Sequence, residues 1–218
     1  LIMDKFHRAE IPVIAVDIPM VGATFFGVDN YRAGHMAGSA LGKWIAEKWN
    51  GQLDRLIILE EPRAGALPAS RLLGQVDGLC ETVGQISPSK RTYLDSGNTS
   101  AQSRAEMLGA LKKQPDEHRI AVVTINDDAA VGALAAAREL DREHDVVIAG
   151  QGADRIARGE IRRPDSRIIG STAYWPERYG EKLIPLAVKI LLGAAVPPAV
   201  HIDHEFISAS NIDVFYPE

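Results

Sequence analysis

Seven short strand-like runs alternate with helix-like stretches along this chain, and that alternation constrains the fold more than any other feature. The runs lie at 11–17 (IPVIAVD), 24–28 (TFFGV), 55–60 (RLIILE), 91–95 (RTYLD), 120–125 (IAVVTI), 145–150 (DVVIAG) and 167–172 (RIIGST). Most are continuously apolar, as parallel strands covered on both faces require, rather than alternating. Helix-like stretches fall at 31–48, 68–85, 100–114, 128–140 and 177–193. Strand-helix alternation of this kind builds right-handed βαβ units and an open, doubly wound α/β sheet.

The units divide unevenly. Five strands and their helices between residues 53 and 174 make one complete lobe, which the tail at 197–218 rejoins. Residues 1–52 with 175–196 hold too few strands for a second one. The sequence therefore predicts two lobes with the N-terminal one incomplete, and by the usual size of a domain roughly a hundred residues are expected upstream of Leu1. A single compact domain is the alternative. The stretch VHIDHEFI after the Gly-Pro break reads as a connector that becomes an edge strand, with His201 and His204 on opposite faces and solvated rather than metal-bound.

Composition narrows the partners. A net charge of −5 on 218 residues gives no broad basic surface, which argues against direct nucleic-acid binding. Cys80 is the only cysteine, so neither an internal disulfide nor a cysteine-based zinc site can form. No apolar run reaches the roughly 18 to 20 residues of a membrane helix, and the N-terminus lacks a signal-peptide layout.

In an open α/β sheet, ligands bind beyond the carboxyl ends of the strands. Four runs end in a polar side chain suited to that place: Asp17, Asp95, Asn126 and Gln151. Each could equally be a helix N-cap. At Asn126-Asp127-Asp128 both readings coexist, one of the aspartates capping the alanine-rich helix while Asn126 points outward. Arg71 stands near a helix start, where the dipole opposes it, and so needs a carboxylate or ligand oxygens as partner. The stripe in EKLIPLAVKILLGAAV and the pair Phe25-Phe26 read as core.

Taken together, IPVIAVD, FGVDNYRAG, SRLLGQVDGL, INDDAAVGALAAAREL and RIIGSTAYWPERYGEKLIPLAVKIL resemble the type I periplasmic sugar-binding proteins, a family that includes the effector domains of lac-repressor-type regulators. The resemblance spans essentially the whole chain. It implies a non-enzymatic, cofactor-free receptor in which Asp17, Arg71 and Asn126 bind sugar hydroxyls in an interlobe cleft that closes on a hinge. Tyr174 stands where many members have a ligand-reaching glutamine. The chain departs from the pattern at Ile18, at Gly152 and in SGNTSAQ, which has no aromatic ring, leaving Gln151, Tyr174 and Trp175 as substitutes. A periplasmic or otherwise envelope-associated solute receptor that delivers sugar to an ABC-type membrane permease is expected. The alternative is the cytoplasmic effector half of a regulator. VVIAGQGADR imitates a dinucleotide fingerprint, but Arg155 stands at the third glycine and no acidic residue closes the next strand, so a nicotinamide-dependent enzyme is only a remote alternative.

Overall fold

In the computed structural model, which describes residues 2–218, the expected runs become strands within a few residues of their expected limits. The larger unit comprises residues 30–173 and 204–218. Its six-stranded sheet uses β3 (Arg55–Glu60), β4 (Arg91–Asp95), β5 (Ile120–Thr124), β6 (Val146–Gly152), β7 (Ile168–Ala173) and β9 (Glu205–Ser208), in the order β4-β3-β5-β6-β7-β9. All neighbours are parallel except β9, which runs antiparallel to β7 and closes the edge. Every residue of β5 is buried, which is why that run carries no polar alternation.

Helices α2 (Asn30–Trp49) and α3 (Ala66–Val83) pack on one face of this sheet, against β6 and β7 and against β3 and β5 respectively. Helices α4 (Ser100–Lys113), α5 (Asp127–Glu139) and α6 (Arg155–Ile161) pack on the other. Since β3 leads to β4 on one side and the chain then returns to β5 on the other, the winding reverses between β3 and β5. That reversal opens a crevice at the carboxyl end of the sheet.

The unit boundary differs from the one expected at residue 52. It falls between Asp29 and Asn30, so α2 joins the larger unit. The reason is a row of glycines. A Cβ at Gly34 would meet the Arg71 carbonyl oxygen at 1.9 Å and one at Gly38 that of Gln75 at 2.0 Å, while Gly74 and Gly78 return the same close approach toward Tyr31 and His35. Backbone presses on backbone along both helices, and α2 cannot part from α3 without losing that contact.

The smaller unit comprises, among the described residues, 2–29 and 174–203. It holds α1 (Ile2–Arg8), the parallel three-stranded sheet of β1 (Ile14–Val16), β2 (Thr24–Gly27) and β8 (Ala199–His201) in the order β1-β2-β8, and α7 (Tyr179–Leu191). Phe26 is fully buried in its core and meets the Tyr179 ring edge-on at 5.3 Å. On α7, Leu186 is buried, whereas Ile184, Val188 and Leu191 remain exposed.

The stretch VHIDHEFI ends in an edge strand, β9, as expected, but its first residues form a strand of their own where a connector was expected. The stretch divides between the units, β8 joining the three-stranded sheet and β9 the six-stranded one. The break at residues 202–204 also corrects the reading of the histidines. His201 is exposed beside Phe25, with ring centroids 5.7 Å apart, but His204 is buried and its Nδ1 lies 3.2 Å from the Ala173 carbonyl oxygen. Helix α8 (Ile212–Phe215) follows β9 and packs beside it.

Candidate functional site

At the β3/β5 crevice the sequence brings three side chains together. Arg71, in the second turn of α3, donates from Nε and Nη2 to Asn30 Oδ1 at 3.0 and 2.6 Å, and from Nη1 to the Ile125 carbonyl at 2.7 Å. One turn on, the fully buried Gln75 amide donates to the Thr124 carbonyl at 2.9 Å and accepts from the Thr124 amide at 3.3 Å. The start of α3 is thereby fixed to the end of β5, and the guanidinium is held in one place.

Immediately after β5, Asn126 has an extended backbone and its Oδ1 accepts from the Ala129 amide at 2.9 Å, the geometry of an N-cap. Its Nδ2 donates to Asn98 Oδ1 at 2.7 Å, across to the loop after β4. Asn98 itself holds a left-handed backbone at φ 57°, which asparagine tolerates better than most residues. Substitution Asn126→Ala should lower stability by about 1 kcal/mol through the lost cap. The urea midpoint would register this, with little change in the urea dependence.

The cap corrects one expectation. Neither adjacent aspartate caps α5, and Asp127 instead turns inward and is fully buried. Its Oδ1 accepts from Ser171 Oγ at 2.7 Å and its Oδ2 from the Asp154 amide at 2.6 Å. Ser171 Oγ in turn accepts from the Ala153 amide at 2.9 Å, so the carboxyl organises the turn after β6. Burial away from water pushes its pKa up to about 7, opposed by the Ser171 and backbone hydrogen bonds and reinforced by the nearby Asp154 charge.

Gln151 lies inside β6 with 1% of its surface exposed, and Nε2 is 3.4 Å from the Ala33 carbonyl on α2. Thr172 Oγ1 donates to the same carbonyl at 2.9 Å. Both hold α2 one turn beyond Asn30. Asp95 accepts from Arg63 Nη2 at 3.1 Å and from the Gly97 amide at 2.9 Å, and so shapes the loop after β4.

Asp17 and Tyr174 belong to the smaller unit. Asp17 ends β1 with a left-handed backbone at φ 59°, and its Oδ1 accepts from Tyr179 Oη at 3.3 Å and from the Val28 amide at 3.4 Å. Tyr174 borders a recess with Trp175, Arg178 and Phe26. Trp175 also has a left-handed backbone, at φ 45°, strained for a bulky residue.

The structure thus joins Arg71 and Asn126 at one strand end and places Gln151 within the neighbouring sheet core. Asn30, Asn98 and Asp127 are the side chains that sequence reasoning did not single out for these roles. The demand of Arg71 for a partner was the one signal that could have led to Asn30.

A doubly wound sheet with polar side chains gathered at its topological reversal defines the class of α/β proteins that hold small polar ligands at strand ends. Within that class the chain belongs to the periplasmic binding protein family, whose domain model matches residues 2–195. No curated protein matches it by sequence. Among solved structures it is similar to an ABC transporter periplasmic solute-binding protein from Actinobacillus succinogenes with bound D-allose, at 18% identity and TM-score 0.79, over 95% of this chain and 73% of that one. The arabinose ABC transporter component from Shewanella, bound to L-arabinofuranose, gives 19% identity and TM-score 0.79 over 99% and 70% of the two chains. A solute-binding protein from Agrobacterium vitis with bound allitol gives 17% and 0.78 over 98% and 72%. At such identities the likeness establishes the fold: two lobes of doubly wound parallel sheet, with the three-stranded lobe incomplete.

Proposed function

We propose that the chain binds a small sugar or related polyol as the solute-binding component of an ABC-type importer, outside the cytoplasmic membrane and without enzymatic chemistry. The carrying observation is the arrangement of Arg71, Asn30 and Asn126 at the β3/β5 reversal, in a chain that matches the periplasmic binding protein domain over residues 2–195. A guanidinium fork donates to hydroxyl and ring oxygens, and an asparagine amide both donates and accepts, so together they suit a polyhydroxylated ligand. Asp17 and Tyr174 are the ligand groups proposed from the smaller unit. A carboxylate there accepts from hydroxyl donors, and a phenol offers both roles. Gln151, with Nε2 3.4 Å from the Ala33 carbonyl on α2, supports the position of Asn30 one turn away. The sugars and polyol bound by the structural neighbours support this ligand class.

A thermal-shift panel of pentoses, hexoses and polyols tests the reading. At a hundredfold excess over Kd a true ligand adds about 2.7 kcal/mol, a midpoint rise of several degrees. Arg71→Ala should weaken that ligand by about a hundredfold, since charge-assisted hydrogen bonds contribute about 1.5 to 3 kcal/mol each. Arg71→Lys should retain part of the affinity. A flat panel, or unchanged affinity in a normally melting Arg71→Ala protein, would overturn the assignment.

A further inference from the structure

The chain carries a net charge of −5, yet residues 155–163 hold four arginines and a single carboxylate, Glu160. Glu160 is already held by Arg138 Nη2 at 2.9 Å and Arg163 Nη1 at 3.1 Å. Arg155, Arg158 and Arg162 recur at the spacing that aligns side chains along one helix face. This row forms one wall of a groove whose other wall is Phe215, Tyr216, Pro217 and Glu218. The Arg158 guanidinium lies 4.1 Å over the Tyr216 ring. Arg162 is paired with Asp213 at 3.1 Å and with Glu218 at 3.2 Å.

The chain's own acidic C-terminal segment therefore already docks on α6 through Arg162. The rest of the row is left for another occupant. Arg155 is exposed and has no carboxylate partner among the described residues, and the Arg158 guanidinium lies over the neutral Tyr216 ring. Beside them Ile156 is 45% and Phe215 39% exposed, so the groove joins fixed positive charge to apolar surface. Guanidinium forks recognise carboxylates with two parallel hydrogen bonds, and an adjacent aromatic gives an extended segment a place for an apolar side chain. A nucleic acid would call for a wider basic surface than one short helix on an acidic chain.

We propose that the α6 groove is a docking surface for an acidic segment of a partner protein, with Arg155 and Arg158 receiving carboxylates and Phe215 an apolar side chain. This assignment does not depend on sugar binding, and either can fail alone. The test is fluorescence anisotropy of the full 218-residue chain with a labelled peptide of alternating Glu and Leu, beside the same peptide with Gln for Glu. The Glu peptide should bind, the Gln peptide should bind at least tenfold more weakly, and Arg155→Glu should cost about tenfold. Arg155→Glu breaks no ion pair among the described residues and should melt normally. Arg163→Glu changes charge equally just past the C-terminal end of the helix, away from the groove, and should cost less than threefold. Equal loss in both variants, equal binding of both peptides, no binding, or tighter binding to anionic lipid vesicles or duplex DNA would each overturn the proposal.

Discussion

Between pH 5 and pH 8 the protein is expected to lose about 3 kcal/mol of folding stability through one side chain, Asp127. In the unfolded chain an aspartate titrates near 3.9, whereas in the fold burial raises the pKa of Asp127 to about 7. A carboxyl raised in this way binds its proton more tightly when folded. Its contribution is fully present below the unfolded value and is lost as pH rises through the folded one. The lowered carboxylates Asp54 and Glu160, held chiefly by hydrogen bonds from Arg119 and Arg138, act in the opposite sense and lose their contribution only as pH falls through the acid range. The interval from pH 5 to pH 8 therefore isolates Asp127 from them. Urea denaturation at both pH values should show the fall in the natural protein and its near disappearance in Asp127→Asn, which cannot ionise. That variant should also begin less stable at pH 5, since an amide presents one acceptor oxygen where Ser171 Oγ and the Asp154 amide engage two. A natural protein with no fall over this interval would mean that these hydrogen bonds hold the carboxylate ionised despite its burial.

Gly38→Ala should destabilise the larger unit by about 3 kcal/mol, within the range for forcing a methyl into a packed interior. The added Cβ would stand 2.0 Å from the Gln75 carbonyl oxygen and 2.8 Å from its Cα. Both are backbone atoms of α3 that cannot rotate away, so the helices must separate. On propensity alone the same substitution would stabilise α2 by about 1 kcal/mol. Gly109→Ala supplies the contrast, because the site on α4 is exposed and no atom lies within 4 Å of the new methyl. That variant should gain about 1 kcal/mol. Opposite signs from the two substitutions would identify the helix contact as the cause, and equal signs would reject it. Arg71 is fixed from α3, so Gly38→Ala should also weaken ligand binding more than Gly109→Ala does.

The strands and most helices were legible because their signals are local. Buried parallel strands require continuous apolar runs, and RLIILE matches β3 residue for residue. The candidate site was legible only in part. Arg71 and Asn126 stand out as polar groups beside apolar runs, but Asn30 acquires its role only when α2 folds back over α3. Asp127 and Asn126 could not be ranked by sequence, since either residue type caps a helix.

What the sequence by itself determined is the doubly wound α/β class and the polar character of its strand ends, because periodicity and turn chemistry act within a few residues. The tertiary structure alone decided that α2 belongs to the larger unit, that VHIDHEFI divides between two sheets, that His204 is buried, and that Asp127 turns inward while Asn126 caps. Each of those outcomes depends on which backbone approaches from a distant part of the chain, and on whether that approach excludes water from the group concerned.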